Sequence, residues 1–245
     1  MAVSVDKVYQ KVLAIANKEQ RGYITPQEFN LFADHAQMDI FEQYFYDLEQ
    51  RQRAIGNEFD YADIVTNLGE KIDMFEIHDS SVTYNSDVAN VSSSFADLYR
   101  LGEVNISYEN NDYCTAEQLQ LNELNKYKKS PLAIWTKSRP VYAKFSSAAS
   151  AVSIRIYPAP VQSSNVKINY IRRPVSPNWT YLIGSNKNAL YNPNAADHQH
   201  FELHSSEETN LVVKILQLAG IAIKDFNLLQ VAAQEEVKSI QLEKQ

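Results

Sequence analysis

The spacing of apolar residues along this chain changes from three-and-four to two and then back, and that double switch restricts the folds open to it. Val5, Val8, Tyr9, Val12, Leu13 and Ala16 lie on one stripe of a helix. A second helix is predicted from Pro26 to Arg53, where Phe29, Phe32, Ala33, Ala36, Ile40, Phe41, Tyr44, Phe45 and Leu48 repeat at three and four. So aromatic a stripe needs a large partner surface. A weaker repeat of Tyr61, Ile64, Val65, Leu68 and Ile72 follows the turn residues Gly56 and Asn57. After Val82 the period shortens. LYRLGEVNISYE, PVYAKFSS, VSIRIYPAP and NVKINYIRRP read as strands, and Pro158, Pro160, Pro174 and Pro177 end strands rather than interrupt them. In VSIRIYP, Val152, Ile154 and Ile156 face one side while Ser153, Arg155 and Tyr157 face the other, the pattern of a half-buried antiparallel strand. TAEQLQLNELNKYKKS predicts one short helix at about 115–128, with Thr115 and Gln118 as its capping box. The helical period returns after Ser205 and Glu208, a second capping box, with Gly220 as a left-handed stop and Asp225 capping a last helix to about Leu242. The expected class is α+β: a helical bundle body from 1–78 and 200–245, with an inserted antiparallel β-sheet or sandwich over 79–199.

Charge and composition remove several functions. The 23 basic and 30 acidic side chains give a formal charge of −7, the wrong sign for an affinity that rests on neutralising phosphates. Cys114 is the only cysteine, so no intrachain disulfide forms. Asp6, Lys7 and Lys11 break the apolar start that a signal peptide needs, and LVVKILQLAGIAI is interrupted by Lys214 and Gln217. A soluble protein, made and used without export and without a membrane partner, is expected.

Four stretches invite a chemical reading. NKEQRGYITPQEF, residues 17–29, places Gly22 and Glu28 at positions six and twelve of a calcium-binding loop, but positions one, three and five are Asn17, Glu19 and Arg21. Arg21 puts a fixed positive charge where a carboxylate should meet the metal. The stretch reads instead as punctuation, with Gly22 closing one helix and Thr25, Pro26 and Glu28 opening the next. DHQHFELH, residues 197–204, offers His198 and His200 on one side of an extended strand, with His204 and Asp197 as spare zinc ligands. Cys114 lacks the local signature of a nucleophile, and no phosphate-cradling glycine loop, GxSxG or HExxH occurs. Lys128, Lys129, Lys137, Arg139, Arg172 and Arg173 make the middle of the chain locally basic, beside Tyr170, Trp179 and Tyr181. Interfaces favour such Tyr, Trp and Arg side chains, so a protein contact is expected there before a nucleic-acid contact. Phe41, Tyr44, Phe45, Arg172, Arg173, Trp179 and Tyr181 are the interface candidates.

The blocks VDKVYQKVLAIANKEQRGYITPQEFNLFADHAQMDIFEQYF, RRPVSPNWTYL and FELHSSEETNLVVKILQLAGIAIKDFNLLQVAAQEE, about half the chain, resemble head-to-tail connector, or ring, proteins of short-tailed bacteriophages, above all those of crAss-like phages. The resemblance implies a helical body with a β insertion, assembled as a ring of twelve copies beneath the portal and docking tail components. It also implies a non-enzymatic virion protein at the head–tail junction, built in the host cytoplasm, whose channel lets genomic DNA slide through without specific binding during ejection. No catalytic residue, cofactor or metal is assigned on this reading. The helix-turn-helix around Gly22 and Thr25 would belong to the helical body, and the segment from Phe201 would touch a neighbouring ring. The Ser- and Asn-rich stretch 79–95 departs from a generic adaptor. The alternative is a metal-dependent hydrolase using His198, His200 and His204.

Overall fold

A computed structural model of the chain describes residues 2–17, 24–53, 59–85, 88–108, 112–132, 134–146, 152–160, 165–185 and 188–223, with Gln234 and Lys238. Helices α1 (Val5–Asn17), α2 (Pro26–Arg53) and α3 (Phe59–Asp73) open the chain. Strands β1 (Glu76–Ser81), β2 (Tyr84–Asn85) and β3 (Val88–Asn90), the single turn α4 (Val91–Ser94), and strands β4 (Leu98–Ser107), β5 (Tyr113–Thr115) and β6 (Glu117–Gln118) follow. Next come α5 (Leu121–Lys129), β7 (Val141–Ser146), β8 (Val152–Tyr157), β9 (Val166–Arg172), β10 (Tyr181–Ile183) and β11 (Ala189–Tyr191). A 3-10 turn at Ser205–Glu207 leads into α6 (Glu208–Ile223). The protein is therefore of the α+β class. It forms two units, one of Met1–Ile72 with Pro174–Gln245 and one of Asp73–Arg173. The division thus falls at 72/73 and 173/174 rather than at the expected 78/79 and 199/200: β1 belongs to the β unit, and the segment 174–199, with its β10–β11 hairpin, to the helical one.

In the helical unit, α1 and α2 each pack against α6. Val5, Val8, Tyr9 and Val12 of α1 are buried, as are Phe29, Ala33, Ala36, Ile40, Phe41, Tyr44 and Phe45 of α2 and Leu211, Ile215 and Ala219 of α6. The aromatic stripe finds its large partner surface within its own unit. Helix α2 starts at Pro26 because Thr25 and Glu28 close a capping box: the Glu28 N–H donates to Thr25 Oγ1 at 3.3 Å and the Thr25 N–H to Glu28 Oε2 at 3.0 Å. Those bonds hold the Glu28 carboxyl below its ordinary range. Glu28 is thereby a cap partner, while Glu19, Arg21 and Gly22 lie outside the described residues. The expected cap at Asp225 also lies outside them. Helix α6 runs through Gly220 to Ile223, so that glycine is interior to the helix and not a stop. Its entry differs as well. His204 Nδ1 accepts the Ser206 N–H at 3.3 Å to cap the 3-10 turn, and Glu208 bonds Lys11 at 2.5 Å instead of completing a box with Ser205.

In the β unit, one sheet has the order β1-β9-β4-β5, antiparallel throughout, and the other the order β2-β3-β8-β7-β6, with only β6 and β7 parallel. Val104, Ile106, Val166, Ile168 and Tyr170 from the first sheet share one buried cluster with Tyr142, Ile154 and Ile156 from the second, so the sheets face each other as a sandwich. The stretch 79–95 contributes β2, β3 and α4 to it. On the other face of β7, Val141 and Ala143 meet Leu119 and Leu124, with Tyr127, Trp135 and Tyr157 packed against them. Both faces of the second sheet are thus covered, which is why Ser153 is buried rather than solvated; it bonds Asn90 Oδ1 at 2.7 Å. The short helix begins at Leu121, not at Thr115. The Gln120 N–H donates to Glu123 Oε2 at 3.4 Å at its start, while Thr115 and Gln118 are taken up by β5 and β6.

Two glycines separate space from propensity. Gly102 sits where the β4–β9 register shifts between Leu101 and Val104, and a Cβ there would lie 2.9 Å from the Asn169 carbonyl oxygen. Gly69, inside α3, has nothing within 4 Å of such an atom. Gly102→Ala should destabilise the β unit by about 1–3 kcal/mol. Gly69→Ala should instead stabilise the helical unit by about 0.5–1 kcal/mol. Denaturant unfolding of both variants checks the opposite signs.

Candidate functional site

Few of the sequence-chosen interface residues have side chains free to meet a partner. Phe41, Tyr44 and Phe45 point into the helical core, with Phe41 and Phe45 edge to face at 5.1 Å, and Trp179 is buried as well. Tyr181 is half-buried and stacks on Trp179 at 5.8 Å. In the β unit Arg172 lies over the Phe75 ring at 5.6 Å and Arg173 is exposed, its N–H bonded to the Asp97 carbonyl at 2.6 Å. Four of the seven candidates are core, and for Phe41, Tyr44 and Phe45 this follows from their period: an aromatic stripe at three-and-four spacing is what a helix buries.

Trp179 is the centre of a cluster of ring contacts and hydrogen bonds in the helical unit. Its ring contacts Tyr9 at 4.4 Å and Tyr191 at 5.7 Å, and its indole N–H donates to Asp6 Oδ1 at 3.0 Å. Its backbone N–H donates to Asn30 Oδ1 at 2.9 Å, while Asn30 Nδ2 donates back to the Trp179 carbonyl at 3.3 Å and to Asn178 Oδ1 at 2.8 Å. Two turns further along α2, buried Gln37 does the same to another part of the chain. Its Nε2 donates to the Val175 carbonyl at 2.8 Å and its Oε1 accepts the Glu202 N–H at 3.1 Å. Asn30 and Gln37 therefore hold the segment 174–203 on α2 at its non-strand parts on either side of the hairpin, largely by bonding its backbone. The sequence reading passed over both, because an amide on a core stripe looks like an interruption.

The three histidines do not converge. His198 Nε2 meets the Tyr191 hydroxyl at 3.2 Å, and its Nδ1 is buried with no partner among the described residues. His200 Nδ1 accepts the Val5 N–H at 3.3 Å, satisfying the first amide of α1. His204 caps the 3-10 turn. His198 and His200 touch edge to face at 4.6 Å. Burial and then the neighbouring His198 push the His200 imidazole below its ordinary value, while burial and the Asp6 carboxylate push the Tyr191 hydroxyl up. Each of His200 and His204 spends its Nδ1 lone pair on a backbone amide, and among the described residues no three His, Cys, Asp or Glu side chains are grouped to hold a metal ion. Cys114 is half-buried in β5 opposite Ile106.

The exposed apolar side chains lie elsewhere. Leu182, Ile183 and Leu190 project from the β10–β11 hairpin. Leu31 and Tyr46 lie on the outer stripe of α2, and Leu121, Leu132 and Ile134 on and after α5, with Leu132 98% exposed. Alternation in YLIGSNKNALY was the available signal for the hairpin. No described helix is long and apolar enough to cross a membrane.

Gln37→Leu should cost about 1–3 kcal/mol for each backbone group it leaves unpaired, and Asn30→Asp should cost a similar amount by setting a carboxylate against two acceptors. Both read out as a lower midpoint in chemical unfolding. For His200, protonation removes the acceptor that Val5 uses, and its depressed pKa means the unfolded chain binds the extra proton first. Stability is therefore complete above the ordinary histidine pKa of 6.5 and declines as pH falls below it. His200→Asn, which retains an acceptor near the Nδ1 position, should flatten that decline in thermal melts between pH 5 and 7. Comparison of the chain with protein-family models and with curated proteins returns no match.

Proposed function

We propose that this protein is a head-to-tail connector subunit of a short-tailed bacteriophage, a non-enzymatic ring protein seated beneath the portal and docked to tail components. The observation that carries the reading is architectural. A helical unit made from both ends of the chain is interrupted at 73–173 by a β sandwich, the arrangement that the sequence resemblance implies. Two further features support it. The polar clusters around Trp179 and the histidines are spent on holding backbone in place, as befits a protein whose work is architecture. The net charge of −7 suits a conduit past which DNA slides and on which it does not settle. The metal-dependent hydrolase alternative draws no support from the separate engagements of His198, His200 and His204.

On this reading the copies form a closed ring, expected to number twelve, through a heterologous contact repeated around one axis. Negative-stain electron microscopy and native mass spectrometry of the purified protein test it. Closed rings, or rings formed on mixing with the portal of the same phage, are the expected result. Monomers or dimers alone at high concentration, with no association with portal, would overturn it.

A further inference from the structure

We draw no further inference here: the strongest candidate, the apolar surface patch that Leu182, Ile183 and Leu190 form on the β10–β11 hairpin of the helical unit, is exposed on a hairpin anchored by Tyr181 and Tyr191 against Trp179, and nothing in the structure shows what covers it.

Discussion

Outside its one short hairpin, the segment that leads from the β unit to α6 cannot lie against a helical core unless its amides and carbonyls find partners, and much of that requirement falls on two side chains of α2. Asn30 and Gln37 are seven residues apart and so lie on one face of the helix. Each offers a donor and an acceptor to the segment 174–203, which they treat much as a neighbouring strand would. What surrounds them depends on this. Trp179 is fixed against Tyr9 and Asp6 because Asn30 holds its backbone, and Phe201 reaches Val3 because Gln37 holds Glu202. The approach to α6 follows from the same anchoring. Glu207, buried at the foot of that helix, is matched by Lys71 at 2.6 Å and Asn210 at 2.8 Å, so its charge is not left alone.

The β unit meets the same demand with sheet hydrogen bonds instead of amide side chains. Its two sheets share one apolar cluster, and α5 covers the outer face of β7 with Leu124. Arg155, on the same outer face of β8, lies over the Phe145 ring at 5.2 Å, its stem packed while its charge meets the π face.

Period was legible in the sequence; partnership was not. Helix α2 and strands β4, β7, β8 and β9 follow from the spacing of their apolar residues, since each buries one continuous stripe or face. Thr115 and Gln118 carry the residue types of a capping box, yet β5 pairs with β4 and β6 with β7, and strand pairing with distant residues outweighs a local pattern. Gly220 sits within a helix whose neighbours α1 and α2 hold it, so the glycine does not end it. The boundary at 174 was hidden for a similar reason: nothing in PVSPNWT tells that its backbone answers to Asn30 and Gln37, well over a hundred residues earlier. Burial of the aromatic stripe was predictable from its period, and assigning Phe41, Tyr44 and Phe45 to an outer contact overlooked that a large enough partner lies in the same unit.

The strands that end the two sheets bear on what another chain could pair with. β2 and β6 are two residues long and β5 three, too short to template another strand. β1 is longer, but its pairing with β9 is broken between Ile77 and Ser80, where Asp79 takes a left-handed backbone with φ of 54°, and Glu76, His78 and Asp79 stud it with polar groups. The terminal strands β1, β2, β5 and β6 are thus poor templates for strand addition. A strand from another chain that met one of these four edges would find two or three regular backbone positions at most, or a bulged and charged one, so the sandwich gains its breadth without carrying a long regular strand at the end of either sheet.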